Sequence, residues 1–231
     1  MQSILTAPNL EIHDKICHGF TTRAVGDDFS LISRETGMPA DKIVSLEQVH
    51  GANVVFIDKA SDLSRREKGD AVVTNLRGVL IGVRTADCLP ILVYDRKVEV
   101  VAAIHAGWRG LVAGIIQNTL SLMMRRLACK IENMEFAFGP CISQDYFEVG
   151  SEVIEAFRDA FGVRFSFQQQ PNQKPHIDLV CTARMSCEDM GLYHRNLGEI
   201  GLCTFEREDL FYSHRRKPGE GRQFNFIGMK A

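Results

Sequence analysis

Ala102-Ala103-Ile104-His105-Ala106-Gly107-Trp108-Arg109-Gly110 closes a nearly unbroken apolar run that begins at Val98. A run of this length bounded by glycine predicts a strand buried on both faces. It ends on a histidine, a small-residue turn, the only tryptophan and an arginine, with a helical pattern directly behind. Polar groups where a buried strand turns into a helix are well placed to build a site. Upstream, Thr85-Ala86-Asp87-Cys88-Leu89-Pro90 separates two more apolar runs, and Gln48-Val49-His50-Gly51 ends another. His50, Cys88 and His105 are therefore expected to converge on a metal.

Working outward, Ile16–Phe20, Lys42–Gln48, Val54–Ile57, Ala71–Thr74, Val79–Val83, Leu89–Tyr94 and Val98–Ile104 read as strands, as do Asn133–Phe138, Leu210–Ser213 and Asn225–Met229. Residues 1–15 form a weakly specified lead-in. A long helix is expected over Leu111–Leu127, where Val112, Ile115, Ile116, Leu120, Met123 and Leu127 make one apolar face. Further helices are expected over Ser30–Gly37, Ser151–Phe161 and Ile177–Met190, with Ser30 and Ser151 as N-caps and Gly37 and Gly191 as stops. Stretches 61–69 and 165–175 read as surface loops. Strands come in runs rather than alternating with helices, and no repeat or linker is visible. The fold class is α/β (α+β): one domain over 1–231, with a mixed sheet and segregated helices.

At 231 residues the chain buries a full core without disulfides. A net charge of −2 with 24% charged residues argues against nucleic acid or a membrane surface as partner. No apolar stretch is long enough to span a bilayer. Seven cysteines, an odd number without a Cys-x-x-Cys pair, fit reduced thiols in the cytoplasm better than a secreted disulfide framework. Cys17, Cys129, Cys181, Cys187 and Cys203 read as inert buried thiols, and Cys141 as structural.

Two imidazoles and a thiolate suit zinc or copper, and a catalytic zinc takes three protein ligands with one position open. Intervals of 38 and 17 residues between the three are not a finger-type spacing, so spacing alone leaves two satisfied histidines and a buried thiol as an alternative. A second alternative makes Cys88 a nucleophile activated by His105, with Asp87 or His50 orienting the base. An anionic substrate would want arginines. Arg109 stands at the start of the long helix, Arg23 follows a Thr-Thr turn, and Arg215-Arg216 with Arg222 make a basic loop. Gln48 is a candidate polar contact, and Asp87 a candidate for orienting a ligand or moving a proton.

Taken in order, His18-Gly19-Phe20-Thr21-Thr22-Arg23, Gln48-Val49-His50-Gly51, Gly69-Asp70-Ala71-Val72-Val73-Thr74, Thr85 to Pro90, His105 to Gly110 and Gly139-Pro140-Cys141-Ile142 resemble one family. It was named for multicopper polyphenol oxidase (laccase-domain) activity and is now described as purine nucleoside phosphorylase, with bacterial YfiH-like members. The resemblance implies a mixed α/β domain of a fold once grouped with cysteine hydrolases, and a zinc ion held by His50, Cys88 and His105, with copper able to replace it in vitro. It implies phosphorolysis of adenosine, inosine, guanosine and methylthioadenosine, and deamination of adenosine. The partners are then a nucleoside and phosphate, in a monomer or small homo-oligomer. Some bacterial members are instead linked to editing cytoplasmic UDP-linked peptidoglycan precursors, which makes a zinc or cysteine amidase the first rival reading. A protein with a purely structural zinc is the second.

After Arg23 the family usually carries a glycine pair followed by serine, whereas this chain has Ala24-Val25-Gly26-Asp27-Asp28. A loop that differs there bears on substrate preference and leaves the metal set untouched. A multicopper oxidase needs a type-1 copper and a histidine-rich trinuclear cluster. Seven histidines, of which only His50 and His105 stand in matching motifs, do not supply them.

Overall fold

The computed structural model describes residues 2–59, 67–169 and 171–231. Strands β1 (Ile4–Leu5), β2 (Ile16–Thr21), β13 (Gln223–Met229), β6 (Val79–Thr85) and β3 (Ile43–Ser45) form a five-stranded sheet in that order, antiparallel except for the β6–β3 pair. A six-stranded sheet runs β12 (Leu197–Glu199), β9 (Met134–Phe138), β7 (Leu89–Asp95), β8 (Val100–Ala106), β5 (Ala71–Thr74) and β4 (Val54–Ile57). Its outer pairs are parallel and its three inner pairs antiparallel.

Side chains alternate along a strand, so each strand of the larger sheet feeds two cores. Val72, Leu92, Tyr94, Val101 and Ala103 point toward the five-stranded sheet and meet Phe20, Ile81, Val83 and Ile227. Their neighbours Ala71, Val73, Ile91, Val93, Ala102 and Ile104 point the other way, against helices α3 (Trp108–Val112), α4 (Ile115–Leu127), α5 (Ser151–Phe161) and α6 (Leu179–Asp189). The far face of the five-stranded sheet is capped by α2 (Phe29–Thr36) through Ile32, Leu80, Phe224 and Phe226. The near-continuous apolar reading of β7 and β8 is explained by this burial on both faces.

Several expectations need correction. The lead-in carries β1 and a short helix α1 (Pro8–Glu11). The long helix is broken: Gly114 takes a left-handed conformation (φ 80°) between α3 and α4, which side-chain-bearing residues rarely adopt, while the apolar face continues across the break. The N-cap of α2 is Asp28, which accepts from the Ser30 and Leu31 amides, and α5 starts behind Gly150 with no side-chain cap. The cap of α6 is Asp178, accepting from the Cys181 amide. Leu210–Ser213 is not a strand, because its carbonyls serve scattered partners instead of one ladder: Leu210 accepts from the Arg23 amide and Ser213 from the Lys217 amide. The stretch expected as a loop over 165–175 buries Phe165 against Phe157, and β10 (Phe167–Gln168) pairs with β11 (His176–Ile177). The expected loop at 61–69 falls mostly outside the described residues. No helix is long and apolar enough to cross a membrane, among the described residues.

Candidate metal centre

By the alternation that sorts the two cores, Asp70, Cys88 and His105 project on the inter-sheet side of the larger sheet. They stand at one end of it: Asp70 just ahead of β5, Cys88 just ahead of β7 and His105 near the end of β8. Pro90 pairs with His105 and Leu89 with Ala106, which sets Cys88 beside the end of β8. His50 reaches the same point from the bend after β3. The Nδ1, Nε2 and Sγ atoms of His50, Cys88 and His105 include one ligand atom from each residue within 4.8 Å of the others. The two rings meet edge to face, with centroids 4.8 Å apart. A Cβ on Gly107 would lie 3.0 Å from the Cys88 sulfur and 3.4 Å from His50, so the turn after β8 needs the bare backbone it has.

Backbone conformation is unusual at two of these positions. His50 (φ 58°) and Asp87 (φ 90°) both lie where non-glycine residues are uncommon, and such strain persists only where surrounding contacts hold it. The Asp87 contacts are visible: Oδ1 accepts from the Thr204 hydroxyl at 2.7 Å, and Oδ2 from the Arg215 amide at 2.7 Å. That carboxylate buttresses the backbone ahead of Cys88 and has both oxygens engaged. At His50 the holding group is Asp70, which the sequence reading quoted within a motif but gave no role. Its fully buried carboxylate accepts from the amides of Val49 (3.2 Å), His50 (2.9 Å) and Gly51 (2.7 Å), and pairs with His105 Nδ1 at 2.8 Å. With Nδ1 committed, His105 presents Nε2 to the cluster.

Electrostatics follow from this packing. Burial pushes the Cys88 thiol up, but the charge of His105 and hydrogen bonds from His105 and His50 outweigh it and bring it to about 6. Burial likewise lowers His105, and the Cys88 and Asp70 charges more than reverse it, to about 9. Burial raises the Asp70 carboxyl, yet His105 and the loop amides hold it below its ordinary value. A thiolate with two imidazoles is a soft, borderline donor set that fits zinc or copper and does not suit magnesium or calcium.

The cluster opens into a cleft of about 510 Å³, within the range of small-molecule sites. Leu46, Ile142, Phe147, Leu179 and Trp108 give it apolar walls, while Arg84, Arg109, Arg215, Arg222 and His214 supply its polar rim. Arg109 belongs to the short α3, not to the head of the long helix. Its guanidinium lies over the Trp108 ring, 4.3 Å from the centroid. Among the described residues it has no hydrogen-bond or ion-pair partner. Arg215 donates to the carbonyls of Tyr146 and Glu148 and lies over Phe147, with no carboxylate partner among the described residues.

Other expected contacts are placed elsewhere. Arg23 donates to the Glu208 carbonyl and to Glu220 and stacks on Tyr212, outside the cleft lining. Arg216 turns inward and donates to the carbonyls of Thr204, Phe205 and Phe211. Gln48 does line the cleft, but both ends of its amide are spent on the Arg84 backbone. Arg84 went unread because it sits inside an apolar strand; its Nε donates to Asp27 at 2.8 Å, so the divergent 24–28 loop reaches the rim after all. Cys141 is buried against Cys203 and lines a separate cleft. Of the thiols expected to be buried, Cys181 is exposed and Cys17 half-buried.

Of the remaining histidines, His214 lines the same cleft and the others are dispersed: His13 faces Glu135, His18 accepts from the Ala7 amide, His176 bonds the Gln144 carbonyl and His194 faces Glu188. Among the described residues only His50, Cys88 and His105 form a group of three potential ligands. A multicopper assembly is therefore absent from the described residues.

Known proteins resemble this chain along nearly its whole length. It is 37% identical to "Adenosine deaminase RL5" from an unknown prokaryotic organism, over 86% of this chain and 79% of that one. To "Purine nucleoside phosphorylase" of Deinococcus radiodurans it is 34% identical, over 98% of this chain and 92% of the relative. The solved structure of YlmD from Geobacillus stearothermophilus superimposes with a TM-score of 0.90 at 25% identity, covering 100% of this chain and 97% of that one. The profile described as multi-copper polyphenol oxidoreductase laccase matches residues 15–230, and with relatives this similar the chain belongs to that family.

Proposed function

We propose that the chain is a zinc-dependent enzyme of purine nucleosides. It would cleave adenosine, inosine, guanosine and methylthioadenosine with phosphate, and deaminate adenosine. The observation that carries this reading is the convergence of His50, Cys88 and His105 at the floor of a cleft with apolar walls, where Arg109 and Arg215 meet no carboxylate among the described residues. Relatives whose names state adenosine deaminase and purine nucleoside phosphorylase support both halves of it.

Each part of the cleft has work that suits its chemistry. Phe147, Ile142 and Leu179 offer the flat apolar surface that a purine needs. Arg109, supported from behind by Trp108, is free to hold phosphate with both arms of its guanidinium. Arg215 adds charge at a position fixed by two carbonyls. Held there, phosphate oxygen would displace the base at ribose C1′, the C1′–N bond breaking with its electron pair going to the purine and ribose 1-phosphate remaining. Bound zinc would supply a Lewis acid at the floor. Asp87 keeps the Cys88 backbone in place and also lines the cleft, where it could orient a ligand or move a proton, while Asp70 holds the His50 loop.

A second reading rests on the Cys88 thiol at about 6 beside His105, an arrangement that also activates a nucleophile. It would make the chain a cysteine amidase, with Arg215 and Arg222 facing a diphosphate. A paired assay separates them: metal-analysed protein is given adenosine with and without phosphate, and adenine, inosine and hypoxanthine are separated. Adenine released only with phosphate, and lost together with zinc in Cys88→Ala, is expected. Full zinc in Cys88→Ala with turnover abolished would favour the nucleophile. No purine turnover by zinc-loaded protein would overturn the nucleoside reading.

A further inference from the structure

One side chain touches the backbone of one candidate ligand and the ring of another, yet lies outside the cleft. Asp70 is fully buried at the start of β5, and each of its carboxylate oxygens takes two donors. Oδ1 joins the His50 amide to His105 Nδ1, and Oδ2 joins the Val49 and Gly51 amides. Its main chain is fixed as well: the Asp70 carbonyl accepts from the His105 amide at 2.7 Å, and its own amide donates to the Asn53 carbonyl at 3.0 Å. Three consecutive loop amides turned onto one anion hold His50 in its left-handed conformation, which an unsupported histidine rarely keeps.

We propose that Asp70 is the positioning residue of the metal centre. It presets the His50 loop and the His105 ring, so that one ligand from a loop and one from a strand stand in place before the metal arrives. The proposal rests on the metal reading above. A carboxylate is required and a neutral isostere will not serve. An asparagine would turn its NH2 group toward at least one of the four donors and leave both groups without an acceptor. A second effect follows at His105, where the partner of Nδ1 fixes which nitrogen faces the cluster and strengthens it as a ligand.

The test measures zinc affinity of the full chain by competition with a chromogenic chelator, in wild type, Asp70→Asn and Thr74→Val. Thr74 lies on the same strand and donates its hydroxyl to the Ile57 carbonyl, so its loss weakens β5 without touching the ligands. Asp70→Asn is expected to bind zinc about 10- to 100-fold more weakly, and Thr74→Val within about twofold of wild type for a comparable fall in Tm. Hydrogen exchange on metal-free wild type provides a readout that needs no variant: the Val49, His50 and Gly51 amides are expected to be protected. Equal affinity in wild type and Asp70→Asn, or a loss matched by Thr74→Val, overturns the proposal. So does exchange of the three amides at open-loop rates in the metal-free chain, which decides alone if Asp70→Asn fails to fold. A wild-type chain that takes up no zinc overturns the metal reading and this proposal with it. Zinc uptake by wild type with unchanged affinity in Asp70→Asn overturns this one only.

Discussion

Two segments meet at the cleft, and they use their polar residues in opposite ways. The strand ends around His50, Cys88 and His105 aim side chains outward to a common point, with Asp70 held behind them and Asp87 bracing the Cys88 backbone at the cleft wall. The segment from Cys203 to Arg222 does the reverse. Of its arginines, Arg216 is turned inward to three carbonyls, Arg215 is anchored by two, and Arg23 from across the fold is drawn in to hold Glu208 and Glu220. A strand end commits a side chain to a direction through its pleat. A long loop without a ladder must satisfy its own carbonyls, and arginine is the side chain that can reach several of them at once.

The comparison breaks most visibly at Cys88. Cys88→Ala removes a ligand without disturbing any carbonyl of the loop, so zinc content and purine turnover should fall together, turnover by roughly 1,000-fold or more, while the unfolding midpoint of the metal-free protein holds. Metal analysis and a thermal melt on one preparation check it. If the midpoint collapsed as well, the thiol would be a packing element and the contrast between the two segments would be lost.

Arg216 should show the opposite pattern. Arg216→Ala strips charged hydrogen bonds from the Thr204, Phe205 and Phe211 carbonyls, at a cost of about 3 kcal/mol in urea unfolding, with zinc affinity nearly unchanged. A change in the KM for phosphate larger than that loss of stability accounts for would return Arg216 to the substrate side of the cleft.

Arg109 sharpens the same line from the solvent side. It has no partner to lose among the described residues beyond the face of Trp108. Arg109→Ala should therefore leave stability within about 0.5 kcal/mol and raise the KM for phosphate by about tenfold, roughly 1.4 kcal/mol. A saturation series in phosphate at fixed adenosine gives the number, and an unchanged KM would mean that Arg215 or Arg222 carries the anion.

The difference also marks what could be read from the chain itself. Cys88 and His105 were legible because β7 and β8 are apolar on both faces, which leaves a polar residue at their ends with nowhere to go but a site. The longer strands of both sheets and α5 were legible from the same patterning, while the short edge strands β1, β10, β11 and β12 carry too few residues to show a period. Gly114 was not, because the apolar stripe of Val112, Ile115 and Ile116 runs on through the break and only the backbone angle reveals it. Arg23 and Arg216 misled because composition marks a segment as basic without saying which carbonyls it must serve. Asp70 lay in a quoted motif, Gly69-Asp70-Ala71, yet its donors arrive from positions 49–51 and 105, and no local pattern announces contacts that distant.

A third histidine provides the finest test, because it is buried like His105 but lacks a carboxylate. His18 on β2 accepts from the Ala7 amide at 3.0 Å, beside the start of α1, and burial, opposed by Glu11 and the Ala7 contact, lowers it to about 4. A folded-state value below the ordinary 6.5 means that the unfolded chain takes up the proton first. The stability contributed by neutral His18 is then complete above pH 6.5 and drains away as the pH falls toward 4. About 1 kcal/mol should be gone by pH 5.5. His18→Gln keeps an acceptor for the Ala7 amide and has no proton to gain, so its stability should fall less steeply than that of wild type over that interval, and the gap between the two should change by about 1 kcal/mol. His105 is lowered by burial as well, but Cys88 and Asp70 shift it in the other direction. If the two curves stayed parallel from pH 7 to 5.5, His18 would be meeting its charge with a partner. Burial without a carboxylate would then no longer explain what separates the two histidines.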